Sequence, residues 1–280
     1  MRSPLRIGRA VRRRISRGAT RIRFAGAVRR SDVFVVTYPK SGTTWVGFFL
    51  ASVLADRHDP GHEPLTLVTS RRWVPDVNRD YRGEGSLDRY ESLPDPRMFR
   101  LHAHYDPILP RVIYLVRDPR AVAVSYYYHR RRMDADFELS LDAFVEASVT
   151  GPFDWVQHVG GWLQHVDRGR ILVVRYEDLH EDPQTQFTMI SNFCGLELTE
   201  DEIAHYVESS SFENMRRAEP PFPERRGVRD MPQVRLGEVD SWRDELSEAS
   251  VRIVEGHCGA LMRRLGYPNT LFRESEARPE

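Results

Sequence analysis

The segment that spans residues 33–45 constrains the fold of this chain more than any other, and it reads VFVVTYPKSGTTW. Its first five residues are apolar or β-branched, which is the pattern of a strand buried on both faces. A Pro-Lys-Ser-Gly turn follows, and the apolar periodicity beyond it predicts a helix that begins near Thr43. The sequence therefore predicts a buried strand that passes directly into a helix.

The loop between this strand and this helix has the composition of an anion-binding site. Unpaired N–H groups at the start of a helix, together with the positive end of its dipole, attract a phosphate or a sulfate. Gly42 allows the backbone to approach the anion closely, and Thr43 and Thr44 add hydroxyl donors. Lys40 is the only lysine in a chain with 41 lysine and arginine residues. Its compact ammonium suits such a loop better than a wide guanidinium does.

The order of residues in this loop differs from that of the nucleotide-binding P-loop. In that motif the lysine directly follows a glycine, whereas here the lysine precedes the only glycine of the loop. The order Tyr-Pro-Lys-Ser-Gly-Thr-Thr-Trp instead resembles the 5′-phosphosulfate loop of cytosolic-type sulfotransferases, and the chain looks like a bacterial member of them. These enzymes take a sulfuryl group from 3′-phosphoadenosine 5′-phosphosulfate (PAPS) and release adenosine 3′,5′-bisphosphate (PAP). A P-loop nucleotide or small-molecule kinase is the alternative.

The resemblance implies that this loop binds the donor and that Lys40 also acts in catalysis by stabilising the leaving phosphate. The loop residues that it assigns to the donor are Lys40, Ser41, Gly42, Thr43, Thr44 and Trp45. The implied acceptor is a hydroxyl or an amine of a small molecule, a lipid or a glycan. The leaving group is already a good one, so no metal is expected.

A second short strand ends at His102. Ligands of doubly wound sheets bind beyond the carboxyl ends of the strands, so His102 is expected to face the anion loop. The family's pattern here is Lys-x-His, in which the histidine deprotonates the acceptor, and this chain has Arg100 in the lysine position. His104 lies two residues further and could share the same face. The base is therefore His102 or His104, and the matched pattern favours His102.

The strand predicted from Arg111 to Val116 leads to a second anion site. Asp118-Pro119 has the composition of a helix start, because aspartate caps a helix and proline suits its first turn. Arg117 then lies at the strand tip and Ser125 about two turns into the helix. Both resemble the residues with which the family binds the 3′-phosphate of the donor. A later strand ends in Tyr-Glu-Asp-Leu, where Tyr176 resembles a tyrosine of the nucleotide pocket. Further on, Thr199 and Glu202 have the spacing of a capping box, which predicts a helix that starts at Thr199.

Two further segments resemble the remainder of the donor site. Ser210 and Phe212 match a hydroxyl and an aromatic ring that meet the adenine. Arg235 and Gly237 match a segment that binds the 3′-phosphate, which in the family reads Arg-Lys-Gly-x-x-Gly-Asp-Trp-Lys. The pair Arg225–Arg226 competes with Arg235 for this role, and the choice between them stays open.

The alternation of strand and helix patterns predicts an α/β fold, with a central parallel sheet flanked by helices in a P-loop-like, three-layer arrangement. We expect a basic extension over residues 1–30, one sulfotransferase domain over 31–272 and a tail over 273–280. Charges balance at 41 of each sign, so no nucleic-acid partner is expected. Two cysteines and no long apolar run fit a cytoplasmic location.

The first 30 residues contain eleven arginines and no acidic residue. They are either a solvated extension or a basic amphipathic helix that holds the protein against the inner face of a membrane. The segments expected to select the acceptor, residues 56–96, 130–152 and 218–234, have the weakest patterns, so the acceptor and the oligomeric state stay open.

Overall fold

The computed structural model describes residues 23–149, 155–166, 169–219, 237 and 239–270. Its centre is a four-stranded sheet in the order β2-β1-β3-β4, and every neighbouring pair is parallel. The strands are β1 Val33–Thr37, β2 Met98–Leu101, β3 Arg111–Val116 and β4 Ile171–Arg175. The predicted central parallel sheet is confirmed.

Helices cover both faces of this sheet. They are α1 Thr43–His58, α2 Asn78–Tyr81, α3 Pro119–Met133, α4 Leu141–Val149, α5 Trp155–Leu163, α6 Tyr176–Glu181, α7 Pro183–Cys194, α8 Glu200–Ser209, α9 Phe212–Arg217, α10 Trp242–Glu245 and α11 Glu248–Arg264. Two 3₁₀ turns, Thr69–Arg72 and Leu87–Tyr90, lie between α1 and β2. The weakly patterned segment 56–96 contains the end of α1, these two turns and the single turn of α2.

Alternating strand residues form the two halves of the core. Val33 and Val35 of β1 pack with α1, α7 and α8, whereas Phe34 and Val36 pack with α3, α5 and α11. All four side chains are fully buried, which explains why β1 reads as a continuous apolar run. Burying one such side chain stabilises the fold by about 1.5–3 kcal/mol, so the four side chains of this strand contribute strongly to the core.

Several helix ends are set by the capping residues that the sequence predicts. The Asp118 carboxylate accepts a hydrogen bond from the Arg120 N–H at 2.8 Å, with Pro119 in the first turn of α3. Thr199 and Glu202 form a reciprocal capping box at the start of α8. The Tyr-Glu-Asp segment differs from its prediction as a strand tip, since it forms α6 directly after β4. Two acidic residues in the first turn of α6 favour this helix.

A buried ion pair joins the starts of β1 and β2, at the sheet edge opposite the strand tips. Arg97 donates to Asp32 at 2.9 and 2.7 Å and to the Ala27 carbonyl at 2.8 Å. Both partners are at most 1% exposed, so each depends on the other for its hydrogen bonds. In the part of the chain that the structure describes, no helix is long and apolar enough to cross a membrane.

Candidate active site

A cleft lies at the carboxyl edge of the sheet, where the tips of the four strands meet. Residues that follow β1, β2, β3 and β4 all line it. The predicted site residues that the structure places in its walls are Lys40, Gly42, Thr43, Thr44, Trp45, His102, Arg117, Ser125, Tyr176, Phe212 and Gly237. Ser41 and Ser210 are buried behind the walls, and Arg235, Arg225 and Arg226 lie outside the described residues.

The loop after β1 has the backbone geometry of an anion cradle. Lys40 and Gly42 have positive φ angles of 73° and 105°, and Gly42 caps α1 without any side-chain hydrogen bond. The first turn of α1 contains no acidic residue. The Ser41 hydroxyl is buried and has no hydrogen-bond partner among the described residues. The backbone N–H groups at the start of α1, the Ser41 hydroxyl and the helix dipole together suit a bound phosphate or sulfate.

The tips of β1, β3 and β4 contact one another across this cradle. A Cβ atom at Gly42 would lie only 2.8 Å from Cδ2 of Tyr176, so only glycine fits beside that ring. Arg117 lies over the same ring, 4.2 Å from its centroid, and donates to the Lys40 carbonyl at 3.2 Å. The positions of Lys40 and Arg117 are therefore linked, which fixes the spacing between the two anion-binding groups.

Lys40 is in an unusual electrostatic environment for an ammonium group. Burial lowers its pKa to about 8, and the charges of Arg117 and Arg132 act in the same direction, against a smaller opposing effect of Glu219. At neutral pH the side chain is still mostly protonated. Its charge is poorly solvated and is repelled by its neighbours, so an anion in the cradle would relieve both costs.

His102 is held by the residue that ends β1. Its Nδ1 lies 3.0 Å from the Thr37 carbonyl oxygen and 2.9 Å from the Thr37 hydroxyl, which in turn lies 2.6 Å from the hydroxyl of Thr43. A carbonyl oxygen can only accept, so we infer that Nδ1 of the neutral ring carries the proton. Nε2 then has the free lone pair that a base requires. The His102 N–H donates to the Asn78 side chain at 2.8 Å, which fixes the backbone.

The environment of His102 keeps its ring neutral. The protein around the cleft desolvates the ring and lowers the pKa of His102, although the side chain faces the open cleft and is exposed. His104 also lines the cleft, but its ring lies against His158, 5.0 Å between centroids. No hydrogen bond to the end of β1 orients His104 in the described structure. The contacts with Thr37 therefore favour His102 as the base.

Aromatic rings form one end of the cleft. Trp45, Tyr176 and His180 lie edge to face, with centroids 4.8–5.9 Å apart. Phe212 lies against Gly237, where a side chain would collide with its ring. Burial and the charge of Arg117 lower the pKa of His180 to about 4, so this ring is neutral. Such a group of neutral rings suits a flat base.

Comparison with known protein families finds that the model of the sulfotransferase domain matches residues 30–266. The chain belongs to the sulfotransferase family. Amine sulfotransferase of Oryctolagus cuniculus is 31% identical over 203 residues, which cover 68% of this chain and 64% of that protein. Luciferin sulfotransferase of Photinus pyralis is 29% identical and is covered to 58% of its length, again by 68% of this chain. The chain thus matches less than two thirds of these two relatives.

Solved structures share the fold of this sulfotransferase-family chain. A mouse sulfotransferase in complex with PAP has a TM-score of 0.66 at 24% identity, over 88% of this chain and 89% of that one. A retinol dehydratase in complex with androsterone and PAP has a TM-score of 0.69 at 20% identity, over 89% and 86%. The resemblance drawn from the sequence and the P-loop-like α/β fold are both confirmed.

Arg100, which takes the place of the family's lysine, is bound by the wall of the cleft. Its Nε donates to the Val74 carbonyl at 2.7 Å and its guanidinium to the Ser70 hydroxyl at 3.2 Å. A side chain at Gly47 would collide with it. Burial, with a smaller effect of the nearby Arg71 charge, lowers the pKa of Arg100 to about 10. Arg100 therefore adds positive charge to the wall of the cleft, while two of its N–H donors are already bound by Val74 and Ser70.

Two of the serines predicted to bind the donor differ in position, because Ser125 lines the cleft and Ser210 does not. The Ser210 hydroxyl is fully buried and donates to the Tyr206 carbonyl at 2.8 Å, whereas the next residue, Ser211, lines the cleft. Ser125 faces the cleft from α3.

The sequence did not indicate the roles of three residues at the site: Thr37, Asn78 and His180. The position of His180, four residues after Tyr176 in α6, is a signal that could have found it.

Proposed function

We propose that this sulfotransferase-family protein moves a sulfuryl group from PAPS to a hydroxyl or an amine of an acceptor and releases PAP. One observation carries the proposal: a neutral histidine, oriented by Thr37, faces the same cleft as the lysine-containing anion cradle. Structures of relatives with this fold contain PAP. The cleft residues fit that ligand, since they provide two linked cationic sites and a neutral aromatic end.

The donor would lie along the strand tips. Lys40, Ser41 and Gly42 would hold the phosphosulfate, with Thr43 and Thr44 at the start of α1. Arg117 and Ser125, with Arg235 and Gly237, would hold the 3′-phosphate. The adenine would lie among Trp45, Tyr176, Ser210 and Phe212. Since the Ser210 hydroxyl donates to the Tyr206 carbonyl of α8, we assign Ser210 a role in shaping this pocket.

The reaction needs one base and one stabilised leaving group. The acceptor oxygen or nitrogen attacks sulfur, its proton moves to Nε2 of His102, and the bond between sulfur and the bridging oxygen breaks. The electron pair of that bond stays on the phosphate of PAP, where Lys40 and the loop N–H groups stabilise the charge. A general base typically contributes about 10²–10⁴ in rate. Removal of one such oxyanion donor costs about 10²–10³.

The order of the loop residues argues against the kinase alternative, because the loop lacks the Gly-Lys order of a phosphate-binding P-loop. We propose a cytoplasmic location and an acceptor that is a small molecule, a lipid or a glycan. Membrane contact through residues 1–30 stays a prediction, because residues 1–22 lie outside the described residues.

Calorimetric titration of the whole chain with PAP, 5′-AMP and ATP tests the proposal. We expect PAP to bind more tightly than either mononucleotide and Lys40→Ala to weaken it. His102→Ala should retain PAP binding but lose at least about 100-fold in PAPS-dependent transfer to an acceptor found by screening. His205→Ala, on the exposed face of α8, is the matched control. Tighter binding of ATP than of PAP would refute the proposal in favour of a kinase.

A further inference from the structure

The cleft is lined by two arginines that have no ion-pair partner among the described residues. These are Arg71 and Arg82, and both are exposed. Arg79, on the outer side of the same short helix as Asn78, differs because it pairs with Glu84 at 3.0 Å. An arginine that lines a cleft and has no counter-charge is suited to bind an anionic group of a ligand.

Arg82 lies beside the proposed base. Its Nε donates to the Asn78 carbonyl at 3.1 Å, and the side chain of Asn78 accepts from the His102 N–H at 2.8 Å. Burial is the main cause of the lowered pKa of His102; the charge of Asp76 raises this pKa, and the charges of Lys40 and Arg82 lower it. Arg82 and His102 are thus linked through Asn78, and both line the cleft.

The nearest acid that lines the cleft does not pair with Arg82. One oxygen of Asp76 accepts from the Asn78 N–H at 2.9 Å and from the Asn78 amide at 2.8 Å. Arg132 has a carboxylate of its own, Glu219 at 3.9 Å, and burial lowers the pKa of Arg132. Among the described residues, Arg82 therefore lines the cleft without a carboxylate at ion-pair distance.

Many of the described residues that line the cleft are polar or aromatic. Among them are Asn78, Tyr81, His104, Tyr126 and His129. Burial and the neighbouring charges of Lys40 and Arg132 lower the pKa of His129 to about 4, so it is a neutral hydrogen-bonding ring. These groups suit a hydrogen-bonding acceptor better than a wholly apolar one.

We propose that the acceptor carries a carboxylate or a similar oxyanion, which binds the Arg82 guanidinium while the reacting hydroxyl lies at His102. The proposal rests on the sulfotransferase function and narrows its substrate class. The anion would use the guanidinium face that the protein leaves without a counter-charge. Arg71, which lines the same cleft, would add to the positive potential around the anion.

Three phenols with the same two-carbon side chain test this assignment: 3-(4-hydroxyphenyl)propanoate, its amide and tyramine, which end in a carboxylate, a neutral amide and an ammonium. Transfer from PAPS is followed by PAP release, and kcat/KM is compared for the whole chain and its variants. We expect the carboxylate to exceed the amide and tyramine by about tenfold or more, the size of one charge-assisted hydrogen bond. Arg82→Gln should lower kcat/KM about tenfold for the carboxylate and leave the amide nearly unchanged.

Arg79→Gln is the matched control, since Arg79 is exposed and pairs with Glu84 outside the cleft. It should leave all three values unchanged, and PAP affinity should stay the same in both variants. The proposal is wrong if the carboxylate is not the preferred phenol, including a failure to react, or if Arg82→Gln affects carboxylate and amide equally. Normal PAP binding in that case would leave the sulfotransferase function standing, whereas loss of PAP binding in wild type would remove both.

Discussion

Raising the pH from 7 to 9 is expected to weaken PAP binding about tenfold, because Lys40 loses its proton in this interval. Burial and the nearby Arg117 and Arg132 charges lower its pKa to about 8 in the free protein. The ammonium fraction then falls from about 90% at pH 7 to about 10% at pH 9. A bound anion raises the pKa of Lys40 again, so affinity is full below pH 8 and declines as the pH rises through it.

Few other groups of the cleft change charge in this interval. Burial lowers the pKa of His102, and the pKa values of His129, His158 and His180 are about 4, 3 and 4. These rings are neutral before the titration starts. Both phosphates of the ligand, with second pKa values of about 6, are ionised throughout. The pH dependence of PAP binding should therefore report Lys40.

Isothermal titration calorimetry from pH 6.5 to 9.5, in buffers of different ionisation enthalpy, measures both the affinity and the protons taken up. Lys40→Arg is the matched variant, because an arginine stays charged over the whole interval. We expect a flat profile for this variant, whatever its absolute affinity, and proton uptake near pH 8 only in wild type. A wild-type affinity that does not change up to pH 9 would refute the assignment of a lowered pKa to Lys40.

Two substitutions test the remaining parts of the structure. Gly42→Ala would place a Cβ atom 2.8 Å from Tyr176 at a φ of 105°, so PAP affinity should fall at least about tenfold, whereas Gly61→Ala, in open space, should leave it unchanged. Arg97→Met would leave Asp32 buried without its partner, at a cost of about 3–5 kcal/mol, which thermal unfolding should show as a lowered Tm. A Tm within about 1 °C of wild type would contradict the latter.

The local parts of the fold could be predicted because they depend on neighbours in sequence. The apolar run of β1 and the caps Asp118 and Thr199 each express one rule of strand burial or helix ends, and each appears where the sequence indicated. The tips of the strands were correctly expected to share a cleft, since parallel strands end at one edge. Arg117 and His102 came together for this reason.

Other features depend on side-chain directions that sequence spacing does not specify. Ser210 and Ser211 are adjacent, and only the packing of α8 against α1 decides that the first is buried and the second faces the cleft. Thr37 reads as the last residue of a strand, and its role depends on the register that pairs β1 with β2. Arg100 matched a charged position, but the contact with Val74 that binds its guanidinium arises between distant segments.

One physical cause, desolvation in the cleft, acts on the proposed base His102 and on Lys40 with opposite consequences. It lowers the pKa of His102, which favours the neutral ring that a base requires. It also lowers the pKa of Lys40, which destabilises the charge proposed to hold the donor. The two effects are compatible if the donor is an anion, because a bound anion stabilises the Lys40 ammonium. Above pH 8, where the free protein has lost most of this charge, donor binding would therefore be coupled to proton uptake by Lys40.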